Sequence, residues 1–158
     1  MKKTEWKKLL LCLAIPLLSG GLGALLAGKA ITAYRDFAKP PLSPPGWVFP
    51  VVWTLLYAAM GYASYRVLVS DAASEKIRSA LRLYGLQLIV NILWPLLFFR
   101  MEAFLAAFFW LVLLWVLIYL TVRAFSKIDE WAGNILLPYL LWVTFAGYLN
   151  FGVFLLNS

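Results

Sequence analysis

Residues 39–53 read KPPLSPPGWVFPVVW and place five prolines among fifteen positions, directly before a long apolar run. Proline fixes the backbone angle φ and has no N–H group to donate, so residues 39–45 are stiff and cannot form a helix. Pro50 falls in the first turn of a helix that starts near Trp47, where a proline is tolerated. The segment therefore predicts a rigid loop that ends where a membrane-spanning helix begins.

The composition of the 158-residue chain is that of an integral membrane protein. Hydrophobic residues make up 64% of the chain and charged residues only 13%, about half of the charged fraction of a soluble domain. The chain has no histidine, which excludes imidazole metal sites and axial histidine ligands for haem. Its one cysteine, Cys12, excludes an intrachain disulfide. The net charge of +7 indicates basic residues that meet anionic headgroups, and we expect no nucleic-acid partner.

Uncharged stretches divide the chain into five spans, each close to the 20 or so apolar residues that cross a bilayer. The sequence predicts an all-α membrane protein, a five-transmembrane-helix bundle that forms a single domain over residues 1–158. We expect helices over residues 7–28, 47–68, 79–99, 103–124 and 132–156, and a Pro-rich outer loop over residues 29–46.

Lysine and arginine are divided unequally between the two ends of these spans. Ten lie at the end that carries the N-terminus, and four lie at the other: Lys29, Arg35, Lys39 and Arg100. Because cytoplasmic segments carry the excess of basic residues, we expect a multi-pass protein of the cell membrane with a cytoplasmic N-terminus. The Pro-rich loop then lies on the outer side.

No charged side chain falls in the centre of a span, since all seven acidic residues lie in loops or at helix ends. Ion-coupled transporters usually need ionisable residues within the membrane, so this class is disfavoured. Paired carboxylates and the sequence motifs of phosphate, dinucleotide and metal sites are also missing. We therefore expect no metal site, no required cofactor and no conventional catalytic motif.

Amide and aromatic side chains instead form one stripe on each of three predicted helices. The stripes contain Pro50, Trp53, Tyr57 and Gly61 on the second helix, Gln87, Asn91, Trp94, Pro95 and Phe98 on the third, and Trp142, Ala146, Leu149 and Asn150 on the fifth. An amide that faces lipid is costly, so these stripes should face protein or a cavity.

The depths of these side chains suggest that they converge. At about 1.5 Å per residue, Trp53, Asn91, Trp94 and Asn150 lie roughly 8–12 Å below the outer ends of their helices. Such a cavity would suit a large, flat, apolar ligand held by stacking and a few hydrogen bonds, with the Pro-rich loop as a lid. The alternative is that the amides join helices, the aromatic rings fill space, and the loop is only a rigid connector.

Three motifs, KPPLSPPGWVFPVVW, NILWPLLFF and PYLLWVTFAGYLN, together with five short spans, are similar to the translocator protein family. This family is also called the tryptophan-rich sensory protein or peripheral benzodiazepine receptor family, and the resemblance covers essentially the whole chain. It implies a bacterial-type five-helix bundle, often a homodimer, that binds porphyrins; some members also bind cholesterol and benzodiazepine-site ligands. Cholesterol-binding members carry a basic residue shortly after the tyrosine that matches Tyr148, and none follows here.

The resemblance also implies which residues bind the ligand. Carried over position by position, Tyr34, Pro44 and Gly46 belong to the lid, and the pocket contains Trp53, Asn91, Trp94, Trp142, Ala146 and Asn150. Leu149 shares the stripe of the fifth helix and completes our predicted set.

The function expected from this reading is that of a membrane receptor or sensor for porphyrins and similar hydrophobic small molecules. One alternative is light- and oxygen-dependent porphyrin degradation, with Trp53 and Trp142 as candidate catalytic residues, because matching tryptophans are implicated in that breakdown in some bacterial members. Another alternative is a porphyrin or lipid carrier. The porphyrin is a ligand or a substrate in these readings.

Overall fold

The computed structural model describes residues 3–158, and every regular element in that range is helical. The elements are α1 (Lys3–Ala27), α2 (Val48–Leu68), α3 (Ser74–Pro95), α4 (Phe104–Ser126), α5 (Glu130–Ile135) and α6 (Leu137–Asn157). A 3₁₀ helix, Gly28–Arg35, continues α1, and a π-helical turn, Leu96–Arg100, continues α3. Five helical segments are long and apolar enough to cross a membrane. The predicted five-helix membrane bundle is confirmed.

The helices differ from the predicted ones chiefly at three places. The helix α3 begins at Ser74 rather than at residue 79. Glu75 lies in its first turn, where the carboxylate interacts favourably with the positive end of the helix dipole. The predicted loop contains the 3₁₀ helix Gly28–Arg35. The last span breaks at Leu136, because Pro138 in the first turn of α6 has no N–H to continue the preceding helix.

The helices form a ring in which α1 packs on α2 and α3, α4 packs on α3 and α6, and α5 contacts α2 and α4. Helix α1 approaches α2 closely at Gly61. A Cβ atom on Gly61 would lie 2.6 Å from the carbonyl oxygen of Cys12 and 2.7 Å from the Cα of Leu13. Gly20 of α1 lies against the ring of Tyr57, and Gly23 lies at ordinary contact distance from the backbone of Ile92, where an added Cβ would be 3.4 Å from the Ile92 oxygen. The small residues of α1 therefore let helices pack within the bundle.

The Pro-rich loop is fixed to the end of α6. Asn157 exchanges two hydrogen bonds with Ala38, since its Nδ2 donates to the Ala38 oxygen over 2.8 Å and its Oδ1 accepts from the Ala38 nitrogen over 3.0 Å. The Tyr148 hydroxyl donates to the oxygen of Pro41 over 2.7 Å. These bonds hold the loop across one end of the bundle, which we call the loop end.

Candidate ligand-binding cavity

A cavity of about 540 Å³ lies between α1, α2 and α3 beneath the Pro-rich loop. Its volume falls within the roughly 300–1,000 Å³ of small-molecule sites. Trp53 and Tyr57 of α2 line it with rings stacked 5.4 Å apart. Trp94 of α3 also lines it and stacks on Phe98, with 5.0 Å between ring centroids. Two indoles on adjacent helices therefore offer aromatic surface to one space.

A chain of hydrogen bonds forms the polar floor of the cavity. Asn91 and Tyr57 line the cavity, and the Tyr57 hydroxyl donates to Asn91 Oδ1 over 3.4 Å. Asn91 Nδ2 donates to the Tyr139 hydroxyl over 2.6 Å, and that hydroxyl donates to Gln87 Oε1 over 2.8 Å. Asn91, Gln87 and Tyr139 are all buried. A buried polar chain of this kind fixes its members in place, because an unpaired partner would be costly in a low dielectric.

Asn150 belongs to the site through Trp94. Its Oδ1 accepts the indole N–H of Trp94 over 3.1 Å, and its Nδ2 donates to the oxygen of Phe104 over 2.8 Å. Asn150 is buried and does not line the cavity. The amide therefore sets the orientation of the indole ring that does line it.

The roof of the cavity is formed by Tyr34 at the end of the 3₁₀ helix. Its hydroxyl is buried and has no hydrogen-bond partner among residues 3–158. Lys39 holds the end of this helix, because its ammonium group donates to the oxygens of Tyr34, Arg35 and Phe37 over 2.9, 3.1 and 3.0 Å. The same ammonium lies 4.9 Å from the centroid of the Tyr34 ring, a cation–π contact.

Two local features of the chain make room for the cavity. On α1, the lining residues include Gly20, Gly21 and Ala24, whose small side chains leave space between α1 and the other helices. On α3, Pro95 is followed by the π turn, in which the Met101 nitrogen donates to the Leu96 oxygen over 3.0 Å. This wider turn is common at functional sites, and here it contains Phe99, which lines the cavity.

The structure brings together part of the predicted site. Five of the ten predicted residues line the cavity: Tyr34, Gly46, Trp53, Asn91 and Trp94. Five do not line it: Pro44, Trp142, Ala146, Leu149 and Asn150. The last four are on α6, whose Ala146 and Leu149 are buried in the bundle. The lining residues come from α1, α2, α3 and the loop, so α6 contributes no wall.

Phe49 lies next to Trp142 and explains why this tryptophan does not line the cavity. Phe49 lines the cavity, and its ring contacts Tyr34 and Trp142 edge-on, at 5.2 and 5.9 Å between centroids. The indole nitrogen of Trp142 is buried and has no partner within the described part of the chain. Phe49 thus separates this indole from the cavity.

Sequence reasoning missed several lining residues, among them Phe49, Thr54, Phe99 and the wall of α1. Tyr57 carried a usable signal, since it lies one helical turn after Trp53 on the same stripe. The wall of α1 carried no such signal, because the spacing of small residues does not distinguish a packed helix face from the wall of a cavity.

None of the charged residues that the structure describes lines the cavity. No cluster of residues able to bind a metal ion occurs within residues 3–158. Arg66 Nε donates to Asp129 Oδ2 over 2.7 Å and ties the end of α2 to the start of α5. This contact lowers the pKa of the Asp129 carboxyl. Partial burial raises that pKa, and hydrogen bonds from the backbone N–H groups of Ala132 and Trp131 lower it further. The cavity is therefore neutral, with hydroxyl, amide and indole groups as its polar atoms.

Comparison with known proteins agrees with this architecture. The sequence model of the TspO/MBR family matches residues 12–156. The chain is 39% identical to the tryptophan-rich protein TspO of Chlorobaculum tepidum, over 94% of this chain and 95% of that protein. It is 37% identical to the tryptophan-rich sensory protein of Cereibacter sphaeroides (97% and 93% covered) and 37% identical to the translocator protein of Bos taurus (87% and 82% covered). The chain is a multi-pass membrane protein that belongs to the TspO/MBR family.

Proposed function

We propose that the protein is a membrane receptor or sensor that binds a porphyrin, or a similar flat apolar ligand, in the cavity beneath the Pro-rich loop. The observation that carries this proposal is the pairing of two indoles, Trp53 and Trp94, with a single amide, Asn91, on one neutral cavity. Flat rings bind by stacking and apolar burial, and a few polar groups then fix their orientation. Two relatives are named a sensory protein and a translocator protein. These names support a role as a receptor or carrier more than a role as an enzyme.

The absence of histidine from the sequence bears on which porphyrin binds. With no axial imidazole, affinity comes from the macrocycle rather than from its metal. Free-base protoporphyrin should then bind about as tightly as its iron form. A strong preference for the iron form, with a shifted Soret band, would indicate ligation by another side chain and would contradict this mode of binding.

The proposal is tested by titrating the purified protein in detergent with free-base protoporphyrin IX. Trp53→Ala removes a cavity wall and should weaken binding at least tenfold. Trp131→Ala is the matched control, because Trp131 is 68% exposed at the start of α5 and lies outside the cavity. Equal affinities for the two variants would place the ligand elsewhere and reject the proposed site.

A second candidate function is light- and oxygen-dependent breakdown of the bound porphyrin. It is favoured by the position of Trp53, an oxidisable indole that any ligand in the cavity would touch. Product analysis after illumination of the pure protein with protoporphyrin IX distinguishes the two functions. If the protein is only a receptor, the porphyrin is lost no faster than in a protein-free control. A degrading enzyme instead yields a defined product.

We further propose that the loop end faces the outside of the cell and the N-terminus the cytoplasm, in keeping with the ten-to-four division of basic residues. Single cysteines at Thr4 and Ser158, in a Cys12→Ser background, test this orientation with an impermeant thiol reagent on intact cells. Labelling should occur at position 158 only. Labelling at position 4 alone would reverse the orientation.

A further inference from the structure

A second groove lies on the outside of the bundle, between α4 and α6. It measures about 330 Å³ and shares no lining residue with the cavity beneath the loop. Leu111, Trp115, Val143 and Phe151 line it. At its base is Gly147, where an added Cβ would meet only Leu111 Cδ2, at 3.8 Å. The missing side chain of Gly147 therefore creates a slot on a surface that meets the hydrocarbon of the membrane.

A column of three side chains leads from this groove to the basic end of α4. Trp115, Tyr119 and Arg123 occur at every fourth position, so they lie on one helix face. The rings of Trp115 and Tyr119 are parallel within 1°, with 5.8 Å between centroids. Arg123 Nη1 donates to the Tyr119 hydroxyl over 3.1 Å, and the guanidinium lies 6.0 Å from the centre of that ring. The column thus orders a cation directly above an aromatic surface.

Arg123 and Tyr119, at the polar end of the column, have hydrogen-bond donors that are free to bind a ligand. Arg123 is exposed and makes no ion pair with any carboxylate in the part of the chain that the structure describes. The Tyr119 hydroxyl accepts from Arg123, and its own proton has no acceptor among the same residues. An acidic oxygen placed beside them would receive a charge-assisted bond from the guanidinium and a second bond from the phenol.

We propose that the groove and the column bind one anionic phospholipid. The phosphate lies against Arg123 and Tyr119, and one acyl chain follows Trp115 into the groove, where Thr144 holds the indole by accepting its N–H over 2.8 Å. The charge supports an anionic headgroup, since ten of the fourteen basic residues lie at this end of the bundle.

Residue count along α4 gives the depth of the site below Arg123. Along the helix axis, Trp115 lies about 12 Å and Leu111 about 18 Å from Arg123, at about 1.5 Å per residue. Half of the hydrocarbon core is about 15 Å thick. Leu111 therefore lies deeper than that half-thickness, and only the terminal part of an extended acyl chain, with its headgroup level with Arg123, reaches the near end of the groove at Trp115 and Leu111.

The test is native mass spectrometry of the full chain, released from mild detergent after incubation with equal amounts of phosphatidylglycerol and phosphatidylcholine that carry the same acyl chains. The wild type should retain phosphatidylglycerol about fivefold better, the factor expected for one cation near an anionic headgroup. Arg123→Gln should abolish this preference. Arg78→Gln is the matched control, because Arg78 is an exposed arginine at the same end of the bundle, on α3, and it should leave the preference unchanged.

A second variant tests the groove. A Cβ at position 147 would meet only the Leu111 side chain, at 3.8 Å, so Gly147→Leu places its bulk in the slot. The retained phosphatidylglycerol should then fall at least threefold while circular dichroism and the melting temperature stay near those of the wild type. Equal retention of both lipids by the wild type would show annular lipid only. Equal losses for Arg123→Gln and Arg78→Gln would show diffuse surface charge, and preferential retention of an added sterol would show a neutral ligand. Each of these three results overturns the proposal.

Discussion

Phe49 lies edge-on against Trp142, with 5.9 Å between ring centroids, and shields that indole from the cavity that Phe49 itself lines. The buried, unpartnered Nε1 of Trp142 is therefore close to the cavity without contacting it. Of the two tryptophans that sequence reasoning paired as candidate catalytic residues, only Trp53 lines the cavity.

The first prediction is a double-mutant cycle on Phe49 and Trp142, read as the dissociation constant of free-base protoporphyrin IX. In the wild type, Trp142→Phe should change the constant less than twofold, whereas Trp53→Phe should raise it by up to about tenfold through lost stacking. Phe49→Ala removes the ring between the cavity and Trp142. In the Phe49→Ala background, Trp142→Phe should raise the dissociation constant threefold or more, because the indole then reaches the ligand.

Phe49→Leu is the control for this cycle, since leucine keeps most of the volume of the shield and should leave Trp142→Phe without effect. If Trp142→Phe weakens binding equally with and without Phe49, the ring does not act as a partition. The wild type, Trp53→Phe and Trp142→Phe, illuminated with porphyrin, show which indole supports any light-dependent loss.

The second prediction concerns Asn150, which orders Trp94 from outside the cavity. Asn150→Ala leaves the Trp94 N–H and the Phe104 oxygen without their partner, so the free energy of unfolding in detergent should fall by about 1–3 kcal/mol. Porphyrin affinity should fall as well, because the indole is no longer held. Asn134→Ala, at an exposed position of α5, should change stability by less than about 0.5 kcal/mol.

The effect of Asn150 on binding should act through Trp94. Once Trp94 is replaced by Phe, which has no N–H to donate, Asn150→Ala should weaken binding no further. Additive losses of affinity in the double variant would instead indicate that Asn150 contacts the ligand directly.

The positions that sequence analysis can bring to one cavity are those determined by distance along a single helix. Trp53, Asn91 and Trp94 each lie at a depth set by residue count, and the loop ends where the prolines require it, so these residues could be placed in one space from the sequence. The five-helix architecture was predictable for the same reason, because the length of an uncharged run decides whether it can cross a bilayer.

The features that depend on packing between helices could not be predicted in this way. Trp142 lies on a stripe as regular as that of Asn91, yet it contacts Phe49 of α2, which lines the cavity, and does not line the cavity itself. Asn150 was expected to contact the ligand; in the structure it bonds to Trp94 and does not line the cavity. Helical periodicity indicates which residues share a face, and the neighbour that this face meets is determined by the side chains of other helices.

The third prediction concerns the contact between α1 and α2 at Gly61. A Cβ at this position meets backbone atoms of Cys12 and Leu13, which cannot move without shifting α1. Gly61→Ala should therefore lower the free energy of unfolding by about 1–3 kcal/mol, the usual cost of overpacking. It should also weaken porphyrin binding, because α1 forms one wall of the cavity.

Gly85→Ala is the matched control for Gly61→Ala. Gly85 lies within α3, and nothing comes within 4 Å of an added Cβ. Alanine is the better helix former by about 1 kcal/mol, so this change should leave stability equal or slightly increased. A loss of stability at Gly85 as large as that at Gly61 would show that steric contact with α1 is not the cause.

The fourth prediction concerns pH and the Asp129 carboxylate. This side chain caps α5 by accepting from the Trp131 nitrogen over 2.9 Å, and it accepts from Arg66 Nε over 2.7 Å. Because these contacts hold its pKa below the ordinary value, the stabilisation is complete at pH values above that ordinary value, about 3.9. It is lost only as the pH falls through the lowered pKa of the folded state.

Asp129→Asn keeps the capping oxygen and removes the charge, whereas Asp129→Ala removes both. At pH 7 the alanine variant should lose about 0.5–2 kcal/mol through the missing cap, and the asparagine variant should lose less. The difference in melting temperature between wild type and Asp129→Asn should be constant from pH 8 to pH 5 and should shrink below about pH 4. Subtracting the asparagine variant removes the contribution of the other carboxylates, which titrate in both proteins. A difference that shrinks instead between pH 8 and pH 5 would mean that the stabilising group is not this carboxylate.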